Sequence, residues 1–372
     1  MFLHEQVIGR SRKKRKGNGD QVLQKVGKSS PRDTSAIVDL WRQQASMKMN
    51  SHPNPRDANV KLLLKNAESD TQQLRKANFV DRGIGTLLDG YTTTEQMAQL
   101  ADVFWERTRD FGLNLRSLCA FFVSHYALLR GETVRNLDLA DMHSVLLENE
   151  GFSVCNALVF VVRQGKTNQF ARTEFGAFIR SKDFRICPMG ACAFYLFWRY
   201  QLENESFPEF RKSEDWFNVK FLKSGKDPTK SIDYRTHKAS IDLAFREIGI
   251  TSKAKTHAAR GSGARMAELA GASEDQIRRL GRWNNQSMES CYLTNLPREA
   301  IRNLAGFAPA QGSYFLQRAA INPTLVLKHM IFRQIESALH KIKASKCREK
   351  IAAKCFLILL DKLRTVILQD SV

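Results

Sequence analysis

The 372 residues are 43% hydrophobic and carry 58 Lys and Arg against 38 Asp and Glu, a formal charge of +20. That is room for two domains and a tail around a sizeable core, and a basic body of this kind fits a polyanionic partner, nucleic acid first. Membrane roles are excluded by pattern: no Lys/Arg-rich amphipathic helix is backed by Trp and Phe, and apolar runs such as Cys355 to Leu360 are far too short to span a bilayer. Met1-Phe2-Leu3-His4-Glu5 lacks an apolar h-region, so no secretory signal is expected.

Along the chain, residues 1–34 read as a disordered basic leader with nine basic and three acidic side chains, leaving +14 on the remainder. Within the leader, six of the seven residues from Arg10 to Lys16 are basic. Arg12, Lys13, Lys14, Arg15 and Lys16 are therefore candidates for a nuclear-import signal, with phosphate gripping or a plain solvated tail as the other readings. Residues 35–85 are expected to form a shortened helical domain. Ile37, Val38, Leu40 and Trp41 have helical spacing, Val60, Leu62, Leu63 and Leu64 make a second segment, and Asn50-Ser-His-Pro-Asn-Pro55 separates the two.

A larger domain is expected over 86–315. Thr92-Thr-Thr-Glu95 opens a helix that runs to Gly112, and Leu113 to Leu129 makes an apolar one. Asn156 to Val162 is a strand, Gln164-Gly165 its turn, and Phe170 to Ile179 the returning strand. Cys187 to Tyr200 is a buried helix, and Ile232 to Ile248 an amphipathic one closed by Gly249. Ser273-Glu-Asp-Gln276 reads as a capping box opening a helix that stops at Gly281. A helical extension over 316–372 completes the chain. Its basic stretch 328–364 either covers another protomer or packs on its own domain. The fold class is mainly α with one small β-hairpin or sheet.

Seven cysteines, at 119, 155, 187, 192, 291, 347 and 355, form no CxxC and no zinc-finger spacing. Such dispersed thiols suit a reducing compartment, and neither a metal nor a cofactor is expected. Arg260-Gly-Ser-Gly-Ala lacks the GK[ST] of a phosphate-binding loop.

One ordered set does point to chemistry: Arg130, Lys166, His257 with Arg260 three residues on, Trp283, and Tyr292. Two arginines can hold the non-bridging oxygens of one phosphate bidentately. Tyr292 can attack phosphorus and store the bond as a phosphotyrosine. Lys166 can protonate the leaving sugar oxygen while His257 takes the tyrosine proton. The Trp283 N–H can bond an oxygen that gains charge in the transition state. Each residue alone has a structural explanation: an ion pair of Arg130 with Glu132 or Asp141, a core His257, a core Trp283 or Tyr292.

The set resembles the tyrosine recombinases. Arg130 after Leu128-Leu129, with Asp141 eleven residues on, resembles their first box, although Thr133 stands where that box usually has Glu. Lys166 resembles their hairpin lysine, and His257, Arg260, Trp283 and Tyr292 their second box and nucleophile. Longer runs are similar to a fungal group, the domain 2 family of the centromere DNA-binding complex, together with Crypton-type mobile elements. These are Arg82 to Tyr91, Ser213 to Phe217, Thr256 to Gly271, Ile277 to Trp283 and Cys291 to Pro297.

The resemblance implies a tyrosine-recombinase-like domain preceded by a helical core-binding domain, clamping duplex DNA in the nucleus as a homodimer or higher assembly. It implies DNA contacts at Arg130, Lys166, Arg260, Arg265 and Arg282. Two functions follow from it: a structural or sequence-specific DNA-binding protein, or an active recombinase that cuts and rejoins DNA. The residues leave the choice open.

Overall fold

The computed structural model describes residues 30–77, 89–163, 173–252, 254–283, 295–344 and 350–371. The chain divides into two compact units, one up to Leu88 and one from Asp89 to Val372. In the first, α1 (Ser30–Ser46) and α2 (Ala58–Ala77) are the two expected helices. The Asn/Pro-rich break is held by its own polar groups: Trp41 Nε1 donates to the His52 carbonyl at 2.9 Å, and Asp57 accepts from Val60 N at 2.8 Å to start α2. Val38 and Ala67 are buried, whereas Leu40, Met47, Met49 and Leu62 are exposed.

The second unit is built around α4 (Phe111–Tyr126), of which twelve of sixteen residues are buried. It packs against α3 (Thr94–Trp105), α6 (Pro188–Phe197), α7 (Tyr234–Glu247) and α8 (Ala258–Leu269). The start of α3 is a true capping box between Thr93 and Gln96. The helix expected to reach Gly112 stops instead at Trp105, and Asp110, with φ of +55°, turns the chain before α4 begins. Gly112 lies inside the first turn of α4, where a Cβ would fall 1.9 Å from the Trp198 ring, so its glycine serves packing and does not end a helix. Between α4 and the sheet lies the short α5 (Gly131–Arg135).

The sheet is antiparallel in the order β1 (Met142–Leu147), β2 (Cys155–Val162), β3 (Glu174–Phe178), with Ser144 opposite Leu158 and Val159 opposite Ala177. β2 and β3 match the expected strands, and the turn expected at Gln164-Gly165 lies outside the described residues. The apolar helix expected from Cys187 to Tyr200 is α6 followed by a wide π turn over Trp198–Leu202. β4 (Lys223–Ser224) and β5 (Asp227–Ser231) form a hairpin. α7 starts at the Asp233 cap and is followed by Gly249 at φ +73°.

α9 (Glu274–Gly281) and α10 (Arg298–Leu304) follow. The box expected at Ser273 does not form: its side chain caps nothing, and Glu299 of α10 accepts the Ser273 N–H at 2.5 Å. α11 (Leu325–Met330), α12 (Ile335–Ala344) and α13 (Ile351–Asp370) end the chain. α13 packs on β1 and α6 of its own unit, and its buried Arg364 donates to the Ile331 and Phe332 carbonyls while pairing with Glu336 of α12. α13, which carries part of the basic C-terminal stretch, packs on its own domain. Among the described residues no helix is long and apolar enough to cross a membrane, and no group of His, Cys, Asp or Glu could hold a metal ion.

Candidate functional site

The site begins where α4 ends. Its last carbonyls have no partner within the helix, a vacancy every helix C-terminus has to fill. Arg282 takes the carbonyls of the two residues that follow the helix: Nη2 donates to the Ala127 and Leu128 carbonyls at 3.0 and 2.8 Å, and Nη1 donates to Phe175 O of β3 at 3.0 Å. One side chain at the end of α9 thereby ties α4 and the sheet together. Arg282 itself is the left-handed cap of α9, with φ of +56°. Gly281 is the last residue of the helix, as expected, and a Cβ there would meet the Trp283 ring at 2.3 Å.

From the α4 end the chain passes Leu128, at φ +46°, to Arg130, the extended N-cap of α5. Gly131 sits against Thr256, whose Cβ would lie 3.0 Å from an added Cβ. Thr256 belongs to a 3-10 turn, Lys255–His257, that leads into α8. His257 is the exposed N-cap of α8 and Arg260 its third residue, so the two stand one turn apart at the start of that helix. Gly263 lets α8 approach α4 so closely that a Cβ would be 2.5 Å from the His125 carbonyl oxygen. Leu128, Lys255 and Arg282 are non-glycine residues at positive φ, and each stands one or two residues ahead of Arg130, His257 or Trp283. Strain of this kind persists only where surrounding contacts over-determine the backbone, and it concentrates at functional sites.

Arg260 is 6% exposed. Its Nη2 donates to Gly281 O at 2.6 Å, its Cζ lies 4.7 Å from the Trp283 ring centroid, and its buried Nε has no hydrogen-bond partner among the described residues. Burial, then the nearby charges of Arg130 and Arg282, push its guanidinium down to about 9, with Glu174 opposing. Burial likewise pushes Arg282 down to about 10, against the pull of Glu174 and with the repulsion of Arg130. Three guanidinium groups thus converge with one carboxylate acting on two of them. Trp283, 43% exposed, borders solvent over this cluster. An anion with several acceptor oxygens matches such an arrangement, because guanidinium donors are rigid, forked and always charged.

Of the residues read from the sequence, Arg130, Arg260, Arg282 and Trp283 come together. His257 lies at the start of the same helix, and its charge reaches His237 of α7. Arg265, expected on DNA, donates through Nη2 to the Asp89 carbonyl and to Ser262 Oγ, fastening α8 to the first residues of the unit. Asp141 pairs with Arg163 at 2.5 Å. Lys166, Tyr292 and the basic run Arg12, Lys13, Lys14, Arg15 and Lys16 lie outside the described residues. Sequence reading missed Glu174, whose position depends on the β2–β3 register, and it missed the packing glycines 131 and 263. A small residue beside a candidate arginine was the one available signal.

No curated protein matches the chain. Among solved structures it is similar to the "Flpe-Holliday Junction Complex", with 14% identity, a TM-score of 0.47, and 86% of this chain and 73% of that chain covered. It is also similar to the "Crystal structure of XerH site-specific recombinase bound to difH substrate: pre-cleavage complex", with 11% identity, a TM-score of 0.37, and 57% and 52% covered. The family model described as centromere DNA-binding protein complex CBF3 subunit, domain 2, matches residues 44–372. With the match covering most of its length, the chain belongs to the CBF3 centromere DNA-binding subunit, domain 2, family.

Proposed function

We propose that this chain binds duplex DNA by its phosphate backbone, with Arg130, Arg260 and Arg282 forming the central phosphate position and Trp283 bordering it. The convergence of these guanidiniums beside a solvent-facing indole is the observation that carries the reading. The formal charge of +20 supplies the field that draws the polyanion in, and membership of a centromere DNA-binding family agrees with it. Nuclear residence, import through Arg12 to Lys16, and assembly as a homodimer or larger on DNA belong to the same proposal. A fluorescent fusion lacking Arg12 to Lys16 that still concentrates in nuclei would remove the import signal from it.

The binding step is tested by titrating a labelled duplex with the full chain. Saturable binding is expected, and its absence at low salt ends the proposal. A second reading, phosphotyrosine strand cleavage as in a Crypton-type recombinase, is favoured by the exposed His257 at the start of the helix that carries Arg260. It requires Lys166 and Tyr292 to join the cluster. Incubation with nicked duplex followed by denaturing electrophoresis separates the two: an adduct that Tyr292→Phe abolishes establishes cleavage. Binding without an adduct leaves a DNA-binding platform.

A further inference from the structure

We infer that Arg135, steadied by Tyr234 and His237, forms a second phosphate position on the same short helix as Arg130 and takes a further phosphodiester of the same duplex. The inference rests on the DNA-binding reading above and extends its footprint.

The short helix α5 contributes an arginine to each position. α5 carries Arg130 at its N-cap and Arg135 at its last position. Arg260, in the first turn of α8, feels the charge of Arg130, and His257 at the N-cap of α8 acts on His237 beside Arg135. Five residues of helix at a rise of about 1.5 Å place the two arginine Cα atoms about 7.5 Å apart along the axis and about 140° apart around it, a separation two long side chains can span on either side of one strand. That is about two nucleotide steps of a duplex strand.

The Arg135 side chain is held but not neutralised. Its Cζ lies 5.5 Å over the Tyr234 ring, and its Nη1 lies 3.5 Å from His237 Nδ1. Tyr234 is 52% exposed at the first position of α7, and His237 is 2% exposed. Among the described residues no carboxylate lies within ion-pair distance of Arg135. Its nearest acids act at longer range: Glu132 is exposed on the same short helix, and Asp233 is engaged with Thr236 N at 2.7 Å and Thr236 Oγ1 at 3.1 Å. His237 is kept neutral, held down to about 4 by burial and then by Arg135, Arg116 and His257. A neutral imidazole accepts from Arg135 through Nδ1 where an imidazolium would repel it. The guanidinium therefore has a ring face on one side and an imidazole nitrogen, at the outer edge of hydrogen-bond distance, on another. Its other N–H donors meet no protein acceptor among the described residues. A preorganised, half-buried arginine without a carboxylate partner is suited to an outside oxyanion.

The test titrates a labelled duplex of arbitrary sequence with the wild-type chain, Arg135→Gln, Arg135→Lys and Arg260→Ala over a series of salt concentrations. Arg135→Gln is expected to bind about fivefold more weakly and to lower the slope of log K against log salt by about 0.9, the value for one phosphate contact. Arg135→Lys, which keeps the charge, should retain the slope. A second readout needs no variant: phenylglyoxal labelling of the wild-type chain, mapped by mass spectrometry, should show Arg135 protected when the duplex is bound. An Arg135→Gln protein that melts like wild type and keeps the full slope overturns the inference, as does equal labelling of Arg135 with and without DNA. If Arg260→Ala weakens binding while Arg135→Gln does not, only the second position fails. If the wild-type chain does not bind duplex, the reading beneath it fails.

Discussion

Arg260 shows how a single side chain can be costly in the free protein and useful in the complex. A buried guanidinium among like charges is destabilising, and the hydrogen bond to Gly281 O and the stacking on Trp283 offset part of that. In the proposed complex a bound phosphate would offset the remaining repulsion. Arg260→Ala is accordingly expected to weaken duplex binding about tenfold, roughly the worth of one charge-assisted hydrogen bond, while the chain stays folded. Arg260→Lys should recover little, because an ammonium cannot stack on the indole and present a fork to phosphate together. Titration of both variants checks this, and loss of folded protein on Arg260→Ala would make the arginine a core residue instead. His125 and His237 act in the opposite sense to a surface histidine. Burial holds them down to about 3 and about 4. In the unfolded chain both take up protons near pH 6.5. Between about pH 6.5 and 4 the unfolded state therefore binds more protons than the folded one, and stability falls as pH falls through that window. The expected loss is on the order of a few kcal/mol. Urea midpoints measured across the window check it, and they should depend less on pH in His237→Asn.

At the scale of elements, the site is a meeting of ends: the close of α4, the start of α5, the entry to α8 and the close of α9. Gly263 sets how near α8 comes to α4, with the His125 carbonyl occupying the place of its side chain. Gly263→Ala should push α8 outward and destabilise the fold by about 2 kcal/mol, the usual range for overpacking a tight contact. Thermal melting would show it, and an unchanged melting temperature would mean that α8 can shift freely. α7 was legible from its amphipathic spacing and Gly249 end, and α9 from its start at Ser273 and stop at Gly281, although the capping box read there does not form. β2 was legible from its Val, Leu and Phe content. β1 was not, because Met-His-Ser-Val-Leu-Leu has no clean alternation and is a strand only through its pairing with β2. The α3–α4 boundary was misread because Gly112 looked like a stop, whereas its lack of a side chain makes room for Trp198. The candidate residues were legible as an ordered set of types. Their setting was not: Arg282 as a staple, Glu174 as the opposing charge and the three strained residues all depend on contacts between segments far apart in sequence.

For the whole molecule, a formal charge of +20 on 372 residues is a standing repulsion that a polyanion relieves. Its folded body keeps most of that excess, since the leader up to residue 34 holds only +6 of it. A family built to bind DNA, a cluster of arginines with depressed guanidiniums and a broad positive field agree at three levels. The most direct measurement is the equilibrium affinity of the full chain for duplex DNA as salt is raised from about 50 to 200 mM. Backbone binding through several phosphates should make log K fall linearly with log salt, with a slope of about −4 or steeper. An affinity that barely changes over that range would contradict the account, because the arginine cluster would then not be meeting phosphates.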